Sequence, residues 1–158
     1  MAERQYSTFL LGKDLFGLDI LLVREINRNL AITPVEQAPD FVSGLLNLRG
    51  QIVTVVDLGV KLGLEKRVLG SESRVIVLKT AQELSAKHVD DRLLAAAQVD
   101  LLGLLVDGVS DMVTADDKAV EPPPANTGNV ADKFLTGVIK LEHGLVGVLD
   151  IGRILKTT

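Results

Sequence analysis

The side chains able to do chemistry in this 158-residue chain are few, and their spacing suits none of the common reactions. His88 and His143 are the only histidines. A three-histidine zinc site is therefore impossible, and no H-x-x-x-H pair presents two imidazoles on one helical face. A Ser-His-Asp triad built on His143 lacks the strand-Ser-helix elbow that exposes a nucleophile, and His143 falls in a predicted hairpin turn, where a solvated imidazole is the ordinary outcome. Asp90-Asp91 and Asp116-Asp117 set carboxylates side by side, without the alternating Asp spacing and terminal Glu of a calcium loop; they read as caps or solvated loops. There is no cysteine, which excludes disulfides, thiolate metal sites and a thiol nucleophile, and fits a cytoplasmic address. Neither a G-x-G-x-x-G helix entry nor a G-x-x-x-x-G-K-[ST] phosphate cradle occurs. The expectation is a protein that binds rather than catalyses, with no metal and no cofactor.

The bulk composition narrows what it binds. Apolar residues make up 47% and charged residues 24% of the chain, a globular balance for one domain or two small subdomains sharing an interface. A formal net charge of −4 gives no electrostatic footprint for nucleic acid. Met1 to Tyr6 carries Glu3 and Arg4, and the short apolar run that follows is broken by Gly12, Lys13 and Asp14; no signal peptide is expected there. No apolar stretch approaches the roughly 20 residues of a membrane helix, so direct membrane insertion is not expected.

The elements that position any binding residue come from an internal repeat. Residues 41–62 align without a gap on 134–155, with eight of 22 positions identical: Phe41/Phe134, Gly44/Gly137, Leu48/Leu141, Val53/Val146, Val55/Val148, Asp57/Asp150, Gly59/Gly152 and Leu62/Leu155. Upstream, 15–26 matches 101–112 at Leu15/Leu101, Gly17/Gly103, Leu18/Leu104 and Val23/Val109. The order of blocks is kept, so blocks 15–62 and 101–155 are expected to form two similar, intertwined subdomains. A half of this size has a marginal core alone, and joint burial follows.

Val, Leu and Ile supply the core, punctuated by 14 glycines, a composition that reads as many short strands with tight turns. Tyr6–Leu11 and Leu15–Ile20 flank a Gly-Lys-Asp turn and read as a hairpin. Leu21–Ile26 is too short for periodicity to choose helix or strand. Asp40 is placed to cap a short helical segment over Phe41–Leu46. Gln51–Leu58 is a strand by its β-branched content, as is Arg74–Lys79, paired with 100–106. The intervening residues 80–99 hold good helix formers, with Asp90 as a cap and Val89, Leu93 and Ala97 on one face; so long a strand connection is atypical. Met112–Pro124 reads as a polar, proline-rich connector, and Val138–Leu141 with Leu145–Ile151 as a closing hairpin.

Positions that differ between the copies cannot be demanded by the shared architecture alone. Arg49 aligns with Glu142 and Gly50 with His143, so a common turn has diverged in chemistry. A guanidinium on a turn can fork to a partner's carboxylates or carbonyls. It can equally pair locally, with Glu25.

Asn47-Leu48-Arg49-Gly50-Gln51-Ile52-Val53, running into Val55-Val56-Asp57-Leu58, resembles the N-L-R-G-x-I-x-P-[VI]-[VI]-D-L hallmark of the CheW family. Val106–Asp111 is similar to its second hallmark, Gly17–Ile26 to its opening and Phe134–Gly137 to its closing hairpin, so that the likeness spans residues 6–155 as one CheW-like domain. The resemblance implies an all-β fold of two five-stranded SH3-like barrels related by a pseudo-two-fold, with short helical segments. It implies a non-enzymatic, cytoplasmic adaptor, monomeric when free, that couples the cytoplasmic tip of chemoreceptors to the regulatory domain of a CheA-type histidine kinase. By the same resemblance Val23, Glu25, Ile26, Arg49 and Val109 face the receptor from a cleft between the barrels, and Gly44 and Gly50 lie near the kinase surface. Thr54 stands where the family has proline, and the 80–99 insertion exceeds the family's usual hairpin. That insertion leaves open a related scaffold in surface motility or second-messenger control. A free-standing peptide- or small-ligand-binding barrel is the reading outside the family, although only 3% of residues are aromatic.

Overall fold

The computed structural model describes residues 3–85, 101–122, 134–142 and 144–156. The expected helix within 80–99 beyond Ser85, with Asp90 and the Val89/Leu93/Ala97 face, lies outside these residues, as do His88, His143 and most of the proline run. In chain order the strands are β1 (Glu3–Leu11), β2 (Asp14–Asp19), β3 (Val23–Asn27), β4 (Val42–Leu48), β5 (Gln51–Asp57) and β6 (Arg74–Leu78). They continue as β7 (Leu102–Val106), β8 (Gly108–Val109), β9 (Val113–Asp116), β10 (Val120–Glu121), β11 (Leu135–Leu141) and β12 (Gly144–Leu149). Three short helices, α1 (Leu58–Lys61), α2 (Ala81–Ser85) and α3 (Ile151–Lys156), complete the described set.

Two sheets result. The first has the order β3-β6-β7-β5-β4; the second has β10-β11-β12-β2-β1-β8, with β9 also paired to β1. Each is an SH3-like barrel, and the repeat can be followed from rung to rung. In the first barrel β5 runs parallel to β7 with Val55 opposite Gly103; in the second β12 runs parallel to β2 with Val148 opposite Gly17. Val23 pairs with Leu78 as Val109 pairs with Phe9, and Thr33 bridges Leu45 where Glu121 bridges Val138. Both β4 and β11 carry a register shift ending at the shared glycine, Gly44 or Gly137. Each barrel thus takes its hairpin from one repeat block and the strand parallel to it from the other.

The shared residues now have local reasons. Asp57 Oδ1 accepts the Val60 N–H at 3.1 Å and caps α1; Asp150 Oδ1 accepts the Arg153 N–H at 3.0 Å at the start of α3. The backbone N–H of each Asp donates to the carbonyl of the aligned Phe, Asp57 to Phe41 and Asp150 to Phe134. Gly17 and Gly103 let the parallel neighbour approach: a Cβ on Gly17 would lie 3.0 Å from Val146 Cγ1, and one on Gly103 3.2 Å from the equivalent Val53 Cγ1.

Three apolar clusters follow from the alternation of strand side chains. Val53, Val55, Leu46, Val75, Val77 and Leu105 fill the first barrel; Val146, Val148, Ile139, Tyr6 and Ala115 fill the second. The opposite faces, with Val56, Leu58, Ile76 and Leu104 from one barrel and Phe9, Leu18, Leu149, Ile151 and Ile154 from the other, merge into a shared core. Full burial of such side chains stabilises the fold by about 1.5–3 kcal/mol each, so neither barrel is expected to persist without its neighbour.

Three local expectations change. Phe41–Leu46 is not helical: Val42–Leu48 is β4, antiparallel to β5. Gly44 has φ +148, which no helix accommodates, and pairing with a β-branched partner strand outweighs the Asp40 capping signal. Met112–Pro124 is more than a connector, since it holds β9 and β10. The undecided stretch Leu21–Ile26 divides into a 3₁₀ turn, Ile20–Leu22, capped by the Asp19 side chain, and the strand β3.

Candidate functional site

The β4–β5 hairpin, the start of β3 and the β6–β7 connection meet at one end of the first barrel. This follows from register: β5 and β7 run parallel, with the first residue of β7, Leu102, opposite Thr54, while β3 begins opposite the end of β6, with Val23 on Leu78. At the hairpin tip Leu48 pairs with Gln51 around a two-residue loop. Arg49 has φ +50 and Gly50 φ +86, the left-handed pair of a type I′ turn. Asn47 Oδ1 accepts the Gly50 N–H at 3.0 Å and stiffens the loop. A left-handed non-glycine residue costs about 1–2 kcal/mol, and at Arg49 an ion pair accompanies that strain.

The partner is Glu25, whose carboxylate accepts from the Arg49 guanidinium. Arg49 is 68% and Glu25 26% exposed at the side chain, so the pair lies on the surface with its cation outermost. Glu25 also accepts from Asn27 Nδ2 at 3.3 Å. The Arg49 hydrogen bond holds the Glu25 carboxyl below its ordinary 4.5; partial desolvation opposes this, while Asn27 and the charges of Arg49 and Arg24 support it. Of the two sequence readings of Arg49, the structure shows the local one: it pairs with Glu25, and its guanidinium remains largely solvated.

Ile26 lies next to Glu25 on β3 and is 41% exposed, whereas Val23 is half-buried against the shared core. Val109 is 40% exposed on β8 of the second barrel, at the position equivalent to Val23. The structure therefore joins Glu25 and Arg49 directly, places Val23 and Ile26 on the same strand, and sets Val109 on the other barrel. Gly50 is exposed at the hairpin tip. Gly44 is buried, where a Cβ would lie 2.2 Å from the Thr33 carbonyl oxygen; its requirement is internal, as is that of Gly137, 2.5 Å from the Glu121 carbonyl oxygen by the same construction.

Sequence reasoning passed over several residues here. Ile52 and Leu145 occupy equivalent hairpin positions and are both exposed; so is Met112, aligned with Ile26. Their alignment as outward apolar positions in both copies was the available signal. Thr80-Ala81-Gln82-Glu83 is a capping box: the Glu83 N–H donates to Thr80 Oγ1 at 3.3 Å, and the Thr80 N–H to Glu83 Oε1 at 3.1 Å. The partly buried network around Arg67 had no signal in its loop. Arg67 donates from its guanidinium to Asp107 Oδ2 at 2.7 Å and from its backbone N–H to Asp57 Oδ2 at 2.8 Å. The Gly12 N–H of the β1–β2 turn donates to the same Asp107 oxygen at 2.6 Å, tying the two barrels together.

The chain is thus a pair of SH3-like barrels with a shared core, exposed aliphatic residues on both and an outward-facing ion pair at one end. Residues 5–158 match the CheW-like domain, and the chain belongs to that family. It is 30% identical over 154 residues to the chemotaxis protein CheW of Klebsiella aerogenes, covering 98% of this chain and 82% of the relative. Against the chemotaxis protein CheW of Rhizobium meliloti it is 30% identical over 148 residues, covering 94% and 84%. The crystal structure of the scaffolding protein TtCheW from Thermoanaerobacter tengcongensis superposes with a TM-score of 0.76 at 27% identity, covering 98% of this chain and 88% of that one.

Proposed function

We propose that this protein is a non-enzymatic cytoplasmic adaptor, monomeric when free, that couples the helical cytoplasmic tip of chemoreceptors to the regulatory domain of a CheA-type histidine kinase. The observation that carries the reading is the Glu25–Arg49 pair on the first barrel, with exposed Ile26 beside Glu25, in a chain that belongs to the CheW-like family. Val23, Glu25, Ile26, Arg49 and Val109 contact the receptor, and the surface around Gly44 and Gly50 meets the kinase. The mechanism is geometric: the adaptor performs no reaction and transmits a receptor state by fixing how two bound proteins sit relative to one another. The partly buried tie through Arg67 keeps that geometry from slackening.

A small-ligand barrel finds less support. A cleft of about 330 Å³ lined by Tyr6, Asp19, Asp117 and Asp150 exists in the second barrel. Its carboxylates are already engaged, Asp19 and Asp117 by Arg4 and Asp150 by the Arg153 N–H. The test is reconstitution with a kinase and a receptor tip fragment from the same genome, comparing wild type with Arg49→Glu. Wild type should co-sediment with both and activate the kinase. Reversing a desolvated interfacial charge costs about 2–5 kcal/mol, so the variant should lose receptor binding by at least an order of magnitude. Wild type binding neither partner would sink the adaptor reading; normal coupling by Arg49→Glu would sink the proposed site.

A further inference from the structure

The two barrels repeat one device at equivalent places and charge it differently. In the first, the register of β3 slips against β6 between Val23 and Glu25, and such a bulge re-aims the side chains around it. Arg24 Nε lies 3.6 Å from Glu83 Oε2, and Glu25 engages Arg49. In the second, Ser110, Asp111 and Met112 separate Val109 from Val113, where only Ser7 and Thr8 separate the partner residues Tyr6 and Phe9. A bulge of one residue therefore follows Val109 as one follows Val23. It is pinned to β1: the Ser110 N–H donates to the Thr8 carbonyl oxygen at 2.9 Å, and the hydroxyl of the buried Thr8 donates to the Asp111 carbonyl oxygen.

Asp111 stands where the first copy has Glu25, and Glu142 where it has Arg49. The positions that form an ion pair in the first barrel thus carry two carboxylates in the second. Both side chains are exposed, and neither has a hydrogen-bond or ion-pair partner among the described residues. The same two segments display Val109, Met112, Leu141 and Leu145, all exposed. They meet across an open groove of about 560 Å³ that Val113 and Leu141 both line. Exposed aliphatic side chains beside two unpaired carboxylates complement a protein surface that offers apolar contacts and a cation. The first barrel shows the form of that cation, since a guanidinium completes the equivalent carboxylate there.

We infer that this end of the second barrel is a docking face for the chemoreceptor tip, on which an arginine or lysine of the receptor fills, against Asp111 and Glu142, the place that Arg49 fills in the first barrel. Val109, the receptor contact proposed on this barrel, opens the same bulge, so the face continues that contact. The inference rests on the proposed receptor coupling and adds to it a charge requirement on the receptor.

The experiment measures the affinity of the full chain for a receptor tip fragment from the same genome and for the kinase regulatory domain, together with its thermal midpoint. Glu142→Arg copies the chemistry of the first barrel onto the second, supplying Asp111 with a cation from its own chain and repelling one from the receptor. Receptor affinity should fall about tenfold, while kinase affinity and the midpoint hold. The salt dependence of receptor binding should flatten with it, because an ion pair across the interface has been lost. Asp111→Asn should weaken receptor binding less, by about threefold. If Arg49→Glu abolishes receptor binding while Glu142→Arg and Asp111→Asn both stay within about twofold of wild type, the inference is overturned and receptor coupling stands. A loss toward the kinase as large as that toward the receptor would also overturn it, by putting a different partner on this face. Wild type binding no receptor would overturn both.

Discussion

Replacing Arg67 by Met should loosen the junction between the barrels by an amount the geometry allows to be worked out. Met keeps the apolar stem and deletes the guanidinium, which is only 12% exposed and serves Asp107 at 2.7 Å and Asp57 at 3.9 Å. Asp57 is then left 2% exposed with a full charge. Removing one member of a buried pair costs about 3–5 kcal/mol. The lower end applies here, because Asp57 retains the backbone N–H groups of Val60 and residue 67, and Asp107 is partly solvated and retains Gly12. A loss of about 3 kcal/mol corresponds to a fall of about 6–12 °C in the unfolding midpoint for a chain of this size. Thermal unfolding followed by circular dichroism reads this directly. Arg67→Met and Asp107→Asn should be non-additive, the second substitution costing less once the first has removed the Arg67–Asp107 pair. A fall below about 2 °C, or strict additivity in the double variant, would refute the role given to this network.

Further outcomes follow from the same structure. The depressed Glu25 pKa means that its carboxylate contributes stability above the unfolded value, near 4.5, and that this contribution is lost as pH falls through the lower folded value. A carboxyl NMR titration should place Glu25 below 4.5, and Arg49→Gln should raise it; an unmoved Glu25 would show that Arg49 is not its partner in solution. Gly44→Ala and Gly137→Ala each drive a Cβ into a backbone carbonyl oxygen, at 2.2 and 2.5 Å, and should each lower stability by about 3 kcal/mol or more through the clash, to which Gly44, at φ +148, adds backbone strain. Denaturant unfolding measures both, and a change under about 1 kcal/mol in either would mean that the crossing segment yields freely.

The hairpin units and their approximate limits were legible in the sequence because strand pairing leaves local traces: β-branched runs, turn residues between them, and alternation that returns in the second copy. The repeat picked out Gly44/Gly137 and Asp57/Asp150 as identical positions without giving their structural reason, and the divergence of Arg49 from Glu142 singled out the turn that carries the ion pair. Reading Phe41–Leu46 as helical failed for a physical reason. Capping and propensity are contributions of about a kilocalorie each, and a strand partner brought from later in the chain overrides them.

What the sequence by itself determined is the majority of the long strands, their twofold repetition and the chemistry displayed on one turn. Only the tertiary structure decided that each hairpin lies parallel to the leading strand of the other copy, β5 on β7 and β12 on β2, because non-local parallel pairing leaves no signature in either strand alone. It likewise decided that Arg67, in an unremarkable polar loop, spans two carboxylates, Asp57 and Asp107, far apart in the sequence, and that Arg24 and Glu25 face different partners. Those outcomes depend on which segments the shared core brings together, and burial, unlike periodicity, is a property of the whole chain.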